Sequence, residues 1–534
     1  MAPAPDEDIS PGSSGEGVSA GQGPGSGSVS GRGANWCGEC DTDHPQSPEA
    51  FHSPPGWQSD AIFYQIFPDR FARSDRLAKH SSLEAWDDTP TVHGYKGGDL
   101  YGIIDKLDWI TDLGCNALYL NPIFQSASNH RYHTHDYFRV DPLLGGDEAF
   151  DELLETCHDR GIKVVLDGVF NHASRGFFQF NDLLESGPAS PWADWWHITD
   201  WPLRAYDPDE PAGYQAWWGL HALPKFNIDN PEVREFLMSV GEYWIDRGID
   251  GWRLDVPEEI TADGFWEEFR TRVRARNPDA YIVGEVWGDA SSWTGGDRFD
   301  GTMNYLLTGF ILRYVGGHRV VDSVVDGITY EVRPPHDAGG YADSVDHLHN
   351  MYGPDGLEAH LTLLGSHDTP RVITAVGNDA QTVILAALLQ LTFPGAPCIY
   401  YGDEIGLEGK RDHDCRRGFP WEHEHSWNQE LLEATRSLTA ARHAHPALRT
   451  GIYRRLWPPP GNYGNGLYVF ERSKDGERLI VAVNSSDSAE SARVPDVAGD
   501  HFETLWGSGE INRDGDVVGI ALKPRSGAVW RVVG

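Results

Sequence analysis

Between residues 60 and 405 the chain alternates two kinds of apolar pattern. Short, nearly continuous apolar runs stand at 61–67 (AIFYQIF), 117–124 (ALYLNPIF), 162–166 (IKVVL), 248–254 (GIDGWRL), 280–283 (AYIV), 301–307 (GTMNYLL), 361–364 (LTLL) and 398–404 (CIYYGDE). Runs without polar alternation read as strands buried on both faces of a parallel sheet. Between them, apolar residues recur every three or four positions at 100–114, 149–161, 231–248, 263–277 and 379–393, which predicts amphipathic helices. Several of these stretches end at glycine, a helix stop. Strand followed by helix, repeated around eight strands, predicts an α/β fold of the (β/α)8 TIM-barrel type, whose reactive side chains sit at the C-terminal ends of the strands.

Two stretches break the alternation. Roughly 60 residues separate His172 from the helix beginning at Pro231, too many for a plain barrel connection, and long connections in compact domains are usually functional. This stretch carries Trp192, Trp195, Trp196, Trp201, Trp217 and Trp218 and reads as a lid domain inserted after strand 3. Beyond about residue 450 the apolar period falls to two (GLYVFERS, RLIVAVNSS, GAVWRVV), which predicts a C-terminal antiparallel β-sandwich. The expected layout is a disordered or irregular segment at 1–56, barrel at 57–172, lid at 173–230, barrel again at 231–449 and sandwich at 450–534. Residues 1–35 are Gly/Ser-rich and carry almost no large apolar side chain, hence the expectation of disorder there.

Charge narrows the classes. Asp and Glu number 81 against 43 Lys and Arg, a formal net charge of -38 over 534 residues. Such a surface repels phosphate backbones, so no nucleic-acid partner is expected. The acids are dispersed, and Arg outnumbers Lys, which predicts adaptation to high salt. Six cysteines are too sparse for a disulfide framework, and Cys37 and Cys40 form one CxxC without a second. No apolar stretch is long enough to span a membrane and no leader pattern stands at the N-terminus, so the expected location is cytoplasmic.

The chemistry lies in four short motifs, DGVFNH at 167–172, GWRLDV at 251–256, GEVW at 284–287 and GSHDT at 365–369. Each sets an acid at the end of an apolar strand: Asp167, Asp255, Glu285 and Asp368. Four strand ends bearing acids predict a carboxylate active site on a barrel rim. In their order and spacing these motifs resemble those of glycoside hydrolase family 13, the α-amylase family. LPKFN at 223–227, SNHRYHTHDYFRVDP at 128–142 and YYGDEIGLEGKRDHDCRR at 400–417 are similar to its neopullulanase, cyclomaltodextrinase and maltogenic amylase branch.

The resemblance implies a retaining hydrolase of α-1,4 links in starch-type glucans or maltooligosaccharides, acting through a covalent glycosyl-enzyme. It makes Asp255 the nucleophile, Glu285 the general acid/base and Asp368 the third catalytic acid. Tyr132, His172, Arg253, His367, Asp412 and Arg416 become the substrate-binding set, with Asp167 as a support that pairs with Arg253. Arg253, two residues before Asp255 on one strand face, would hold the nucleophile ionised. A glucanotransferase, a cyclodextrin- or pullulan-preferring hydrolase, and an inactive amylase-like scaffold remain as alternatives.

Two calcium sites known in the family are altered here. At the lid, Asn171 remains, but Lys225 stands where an Asp is usual and VPEEI follows the nucleophile without a His. An ammonium cannot ligate calcium, so no calcium is expected at the lid. Of the second site, near the first strand, Asp75, Gly97 and Asp99 survive, so a structural calcium there stays open; no cofactor is obligatory. Relatives in this branch also carry an N-terminal β-domain through which they dimerise. The chain before the barrel leaves no room for it, so a monomer with an open cleft is expected.

Overall fold

In the computed structural model, which describes residues 53–533, the predicted runs form one parallel sheet of eight strands. In chain order they are β1 (Phe63–Ile66), β2 (Ala117–Leu120), β3 (Lys163–Gly168), β4 (Gly251–Leu254), β5 (Tyr281–Gly284), β6 (Gly301–Thr302), β7 (Leu361–Leu363) and β8 (Ala396–Tyr400). The hydrogen-bonded order is β6-β5-β4-β3-β2-β1-β8-β7. A parallel bridge between Met303 and Leu361, with Asn304 N donating to Leu361 O at 2.8 Å, joins the two outer strands and closes the barrel. Closure leaves no unpaired strand edge.

Every barrel strand is buried on both sides, as uninterrupted apolar runs require. Phe63, Tyr119, Val165, Tyr281 and Val283 belong to one core, while Tyr64, Leu118, Val164, Leu166 and Trp252 pack with the helical layer in another. Gly251 is demanded by close approach, since a Cβ there would fall 2.1 Å from the Tyr281 carbonyl oxygen.

The predicted helices appear at Gly146–Asp159, Pro231–Asp246, Phe265–Arg276 and Ala380–Thr392. Asn230 and Asp379 cap the second and fourth of these by accepting hydrogen bonds from first-turn amides. The helix expected over 100–114 is instead two, Leu100–Ile104 and Leu107–Asp112. The break falls at Lys106, whose backbone is non-helical (φ -112°, ψ 9°) and whose ammonium sits 4.2 Å over the Trp421 ring. Two further helical stretches, Ala338–Glu358, which is broken by a kink at Gly353, and Gln429–Ala444, lie outside the predicted set.

The segment after β3 holds one helix, Phe178–Ser186, and short turns around an aromatic cluster. Trp195 and Trp196 are buried there against Phe177, Phe226 and Phe236, with Trp196 stacked on Phe226 at 4.9 Å. The C-terminal strands are β9 (Ile452–Trp457), β10 (Leu467–Lys474), β11 (Glu477–Asn484), β12 (Glu490–Pro495), β13 (His501–Gly507), β14 (Glu510–Asp514), β15 (Val517–Leu522) and β16 (Ser526–Val533). They form two antiparallel sheets, β9-β10-β11-β16-β13 and β12-β15-β14. Tyr468, Phe470, Val481 and Val529 share the barrel-side core, fastening the sandwich to the barrel.

Buried arginines reinforce that joint. Arg442 donates to the carbonyls of Leu391, Phe393, Gly395 and Leu448, and Arg472 to those of Thr392 and Gly451. Both cations thus meet the C-terminal end of Ala380–Thr392, the negative pole of its dipole. Cys115, Cys157, Cys398 and Cys415 are free and buried. The expected disorder of residues 1–35 and the Cys37/Cys40 pair lie outside the described residues. Among the described residues no helix is long and apolar enough to cross a membrane.

Candidate active site

The strand register brings the motif residues together. Asp167 and Arg253 are direct partners across β3 and β4, and Leu254 pairs with Gly284 across β4 and β5. One step beyond the strand ends the ladder continues, with Asp255 N donating to Gly168 O and Glu285 N to Leu254 O, each at 3.0 Å. Asp255 and Glu285 are therefore held by main chain as well as by side chain. Asp368 arrives from the loop after β7, where Ser366 Oγ accepts its amide at 3.2 Å.

Arg253 is fully buried and links the acids. Its Nη1 donates to Asp167 Oδ1 at 2.8 Å and to Asp255 Oδ1 at 3.1 Å. Its Nη2 lies 2.7 Å from Glu285 Oε1, a charge contact without hydrogen-bond alignment. Arg253, which the resemblance grouped with the substrate-binding residues, is 0% exposed and contacts three carboxylates. Its charge is thus divided among them. Asp167 is the most heavily bonded of these, accepting in addition from Tyr119 Oη at 2.9 Å and Tyr132 Oη at 2.8 Å.

These surroundings set the protonation. Burial pushes the Asp255 carboxyl well above the usual range, against the pull of Arg253 and with the push of Glu285. Burial likewise raises Glu285 to about 7 and Asp368 to about 6, both against Arg253, with Arg416 also pulling on Asp368. Three acids so close do not all ionise freely, and they titrate as a group that keeps a proton near neutrality.

A polar wall surrounds them. His367 Nδ1 receives the Gln65 amide at 3.0 Å, so its Nε2 carries the proton and donates to Tyr132 Oη at 2.5 Å. The Tyr132 hydroxyl in turn donates to Asp167 and also accepts from Asn121 Nδ2 at 3.1 Å. Burial holds both His367 and His172 neutral, His172 pushed down to about 3. Arg416 donates to Asp368 Oδ1 at 3.2 Å and contacts Asp412 Oδ1 at 2.8 Å. Burial works to raise Asp412, but Arg416 and His413 outweigh it and hold the carboxyl down at about 2.

The altered calcium positions carry lysines. Lys225 Nζ donates to Glu259 O at 2.8 Å and Glu259 Oε2 at 3.2 Å, tying the lid to the turn after β4. Asn171 Oδ1 is buried without a partner, yet an ammonium standing where an acid is usual does not fit calcium. At the second position, Asp75 is exposed and Asp99 is consumed: it accepts from Ser74 N and Gly102 N and pairs with Lys79. Gly97 contributes only a left-handed turn (φ 77°). Asp75, Gly97 and Asp99 thus do not assemble a cage. Among the described residues no group of three or more His, Cys, Asp or Glu can hold a metal.

Several contributors escaped the sequence reading. Gln65 and Tyr119 face the site from β1 and β2, and their signal was a polar residue inside an otherwise apolar run. Trp287, Tyr305 and Tyr330 form a stacked aromatic group beside Glu285, with 3.7 Å between the first two rings. Those residues are far apart in sequence, so nothing linear announced the stack.

A parallel (β/α)8 barrel thus gathers four acids at one rim, three of them on the buried Arg253, an arrangement suited to nucleophilic and acid/base catalysis. Residues 65–450 match the model of the α-amylase catalytic domain, and the chain belongs to the α-amylase family, as an active α-amylase-type glycosidase of the neopullulanase, cyclomaltodextrinase, maltogenic amylase and debranching-enzyme branch. A cyclomaltodextrinase of Geobacillus thermopakistaniensis is 39% identical over 90% of this chain and 78% of its own. The debranching enzyme of Nostoc punctiforme is 51% identical with a TM-score of 0.83, covering 90% of this chain and 99% of that one. The cyclic α-maltosyl-(1→6)-maltose hydrolase of Arthrobacter globiformis is 37% identical with a TM-score of 0.79, covering 90% of this chain and 100% of that one.

Proposed function

We propose that this glycosidase is a retaining hydrolase that prefers cyclic or α-1,6-containing α-glucans, of the cyclodextrin and pullulan kind, over plain starch. The observation that carries the chemistry is the single Arg253 guanidinium contacting both Asp255 and Glu285. One guanidinium spanning the pair favours the short separation of retaining enzymes, about 5–5.5 Å, over the ~6.5–9.5 Å of inverting ones. Asp255 attacks the anomeric carbon while Glu285 protonates the leaving oxygen, and Glu285 then deprotonates the water that releases the sugar. The mechanism needs the shared proton on Glu285 and Asp255 ionised; the aligned Arg253 hydrogen bond works toward that at Asp255, against the burial that raises both carboxyls. Asp368, with Arg416 behind it, braces the distorted sugar. His172, His367 and Tyr132 line the same ring, and Asp412 with Arg416 meets the next.

The substrate preference rests on the relatives. Two are named for debranching or for a cyclic α-1,6-containing sugar, and each is matched along 99% or more of its own chain. A cyclomaltodextrinase adds cyclic α-glucans. A monomer in the cytoplasm completes the reading, supported for location by the intracellular maltogenic amylase of Bacillus subtilis, 37% identical over 81% of this chain. We also propose a surface adapted to high salt, from the net charge of -38.

The test is product analysis on soluble starch, pullulan and cyclodextrin, with proton NMR of the first product. Rates on cyclodextrin or pullulan above that on starch, with an α-anomer released, are expected. Starch as the fastest substrate would refute the preference, and a β-anomer would refute retention. Asp255→Asn should reduce turnover by at least about a thousandfold. Longer oligosaccharides accumulating from maltotriose would instead mark a glucanotransferase.

A further inference from the structure

Inside the apolar run AIFYQIF, Gln65 lies two residues from Phe63 and on the same face of β1. Its side chain is fully buried, and its Oε1 has no hydrogen-bond partner. A buried carbonyl left unpaired is costly, and an apolar side chain would fill the place without that loss. Packing alone does not account for glutamine at this position.

The other half of the amide closes a ring of hydrogen bonds. Gln65 Nε2 lies 3.1 Å from Asn121 Oδ1 and 3.0 Å from His367 Nδ1. Asn121 Nδ2 and His367 Nε2 then meet at one oxygen, Tyr132 Oη, at 3.1 and 2.5 Å. That hydroxyl lies 2.8 Å from Asp167 Oδ2, and Asp167 is itself paired with Arg253 at 2.8 Å.

The direction of every bond follows from that last contact. A carboxylate held by a guanidinium only accepts, so the single Tyr132 proton goes to Asp167. The Tyr132 oxygen then accepts from both its other neighbours, Asn121 Nδ2 and His367 Nε2. With its amine turned to Tyr132, Asn121 offers its carbonyl to Gln65, and Gln65 answers with its own amine. The same amine reaches His367 Nδ1, which accepts. One arrangement satisfies all these contacts, and in it His367 is a neutral imidazole with its hydrogen on Nε2. That nitrogen also lies 3.0 Å from Asp368 Oδ2. Burial, Arg416, Arg253 and His130 all oppose an imidazolium at His367, against Asp412. Cys415 Sγ and Arg416 Nε hold only the His367 carbonyl, so they fix its main chain and leave the ring to Gln65.

We propose that Gln65 is a positioning residue that sets the tautomer of His367, so that Nε2 presents an N–H, and not a bare lone pair, to Asp368 and to the sugar that Asp368 braces. The inference rests on the retaining-hydrolase reading above. Gln65 acts through the imidazole and Asn121, at one remove from the acids. The reversed tautomer would set a lone pair against the Asp368 carboxylate and against Tyr132 Oη, loosening the brace where the distorted sugar needs it.

The experiment uses Gln65→Glu and Gln65→Met in the full chain. In Gln65→Glu, the new carboxyl and His367 share one extra proton. Whether it sits on the carboxyl or on Nδ1, Nε2 keeps its hydrogen; once it leaves, the carboxylate draws the remaining imidazole proton to Nδ1 and Nε2 is bare. On maltotriose, kcat/KM of Gln65→Glu should lie within about tenfold of the parent near pH 5, and the ratio should fall by a further factor of about 10 to 100 by about pH 9. Gln65→Met should lose about 10- to 100-fold, mostly in kcat, at every pH. A Gln65→Glu ratio that does not change with pH would mark a packing role and overturn the proposal, as would Gln65→Met at parental activity. Imidazole nitrogen NMR of protein labelled with 15N-histidine, assigned by difference with His367→Asn, reads the tautomer without turnover. The parent should show protonated Nε2 and bare Nδ1 at His367 throughout that pH range. An Nδ1–H tautomer or an imidazolium in the parent would overturn the proposal even if neither variant folded. The expected tautomer in a protein that hydrolyses no α-glucan would sink the hydrolase reading alone. Hydrolysis with the other tautomer would sink the role of Gln65 alone.

Discussion

Glu285 shows how one residue carries opposite demands. Its carboxyl, normally near 4.5, is raised to about 7 chiefly by burial, although Arg253 stands beside it and Val256 N donates to its Oε2 at 3.2 Å. Val256 makes that bond from a left-handed backbone (φ 36°, ψ 52°), a costly state for a β-branched residue. The chain thus accepts strain next to the nucleophile to fix the acid. A general acid must begin protonated, so kcat/KM, which follows the free enzyme, should fall as pH rises through about 7. Stability follows the same group with a definite sign. The folded state holds the proton more tightly than the unfolded state, so stability declines as pH climbs from about 4.5 to about 7, and the full penalty stands above that window. Glu285→Gln should therefore lose roughly 10²–10⁴-fold in kcat, together with its alkaline limb. The variant should also gain on the order of 1–3 kcal/mol of stability at pH 8. The gain should vanish near pH 4, and paired pH–rate and thermal-melt series would reveal a variant no more stable at pH 8, which would contradict the burial argument.

At the scale of elements, the join between lid and barrel rests on charge as well as on aromatic packing. Lys225 lies in an antiparallel bridge with His172, and its ammonium crosses to the Glu259 carbonyl and carboxylate. Glu259 is 41% exposed at its side chain, so the ion pair is screened and the main-chain hydrogen bond is its firmer half. Lys225→Met should lower the melting temperature by only about one or two degrees. It should raise KM more than it changes kcat, because Lys225 bridges to His172, which the proposed reading places against the sugar. A chelator should leave melting and turnover of the unmodified protein unchanged, and a loss of activity restored by added calcium would disprove the substitution of an ammonium for a metal. Lys225 was readable in sequence because its type is chemically incompatible with the position it fills. The strands were readable for a different reason, since runs such as IKVVL and AYIV have no polar face to spare. The helix Ala338–Glu358 was not, because Gly339, Gly340, Gly353 and Pro354 erase its periodicity; Asp337 nevertheless caps it, and Gly353 turns left-handed at φ 68° to admit the proline. The resemblance already paired Arg253 with Asp167 and Asp255; its third contact, with Glu285, was not legible because it depends on the register of three strands.

For the whole molecule the net charge of -38 decides how solvent conditions act. Some acids are neutralised locally. Arg272, for instance, gathers Glu235, Glu242 and Glu268, and Arg455 gathers Asp343 and Asp346. Added salt weakens such exposed attractions, but each is worth only about 0–1 kcal/mol. Arg and Lys together number 43 against 81 acids, which leaves an excess of 38 negative charges, and their mutual repulsion is the larger quantity that salt screens. At 0.1 M the Debye length is about 10 Å, which lets neighbouring surface carboxylates repel; near 1 M it is about 3 Å, and repulsion shrinks to immediate contacts. The melting temperature should therefore rise steadily from 0.1 to 2 M KCl, by roughly 2 °C if screening relieves on the order of 2 kcal/mol. Preferential exclusion stabilises many proteins in kosmotropic salts, so the comparison must include sucrose, which excludes without screening. A KCl gain well beyond that in sucrose, and diminished when ten exposed acids outside the cleft are changed to their amides, belongs to charge. Equal gains in the two solutes, or a flat response to KCl, would show an acidic surface that owes nothing to salt.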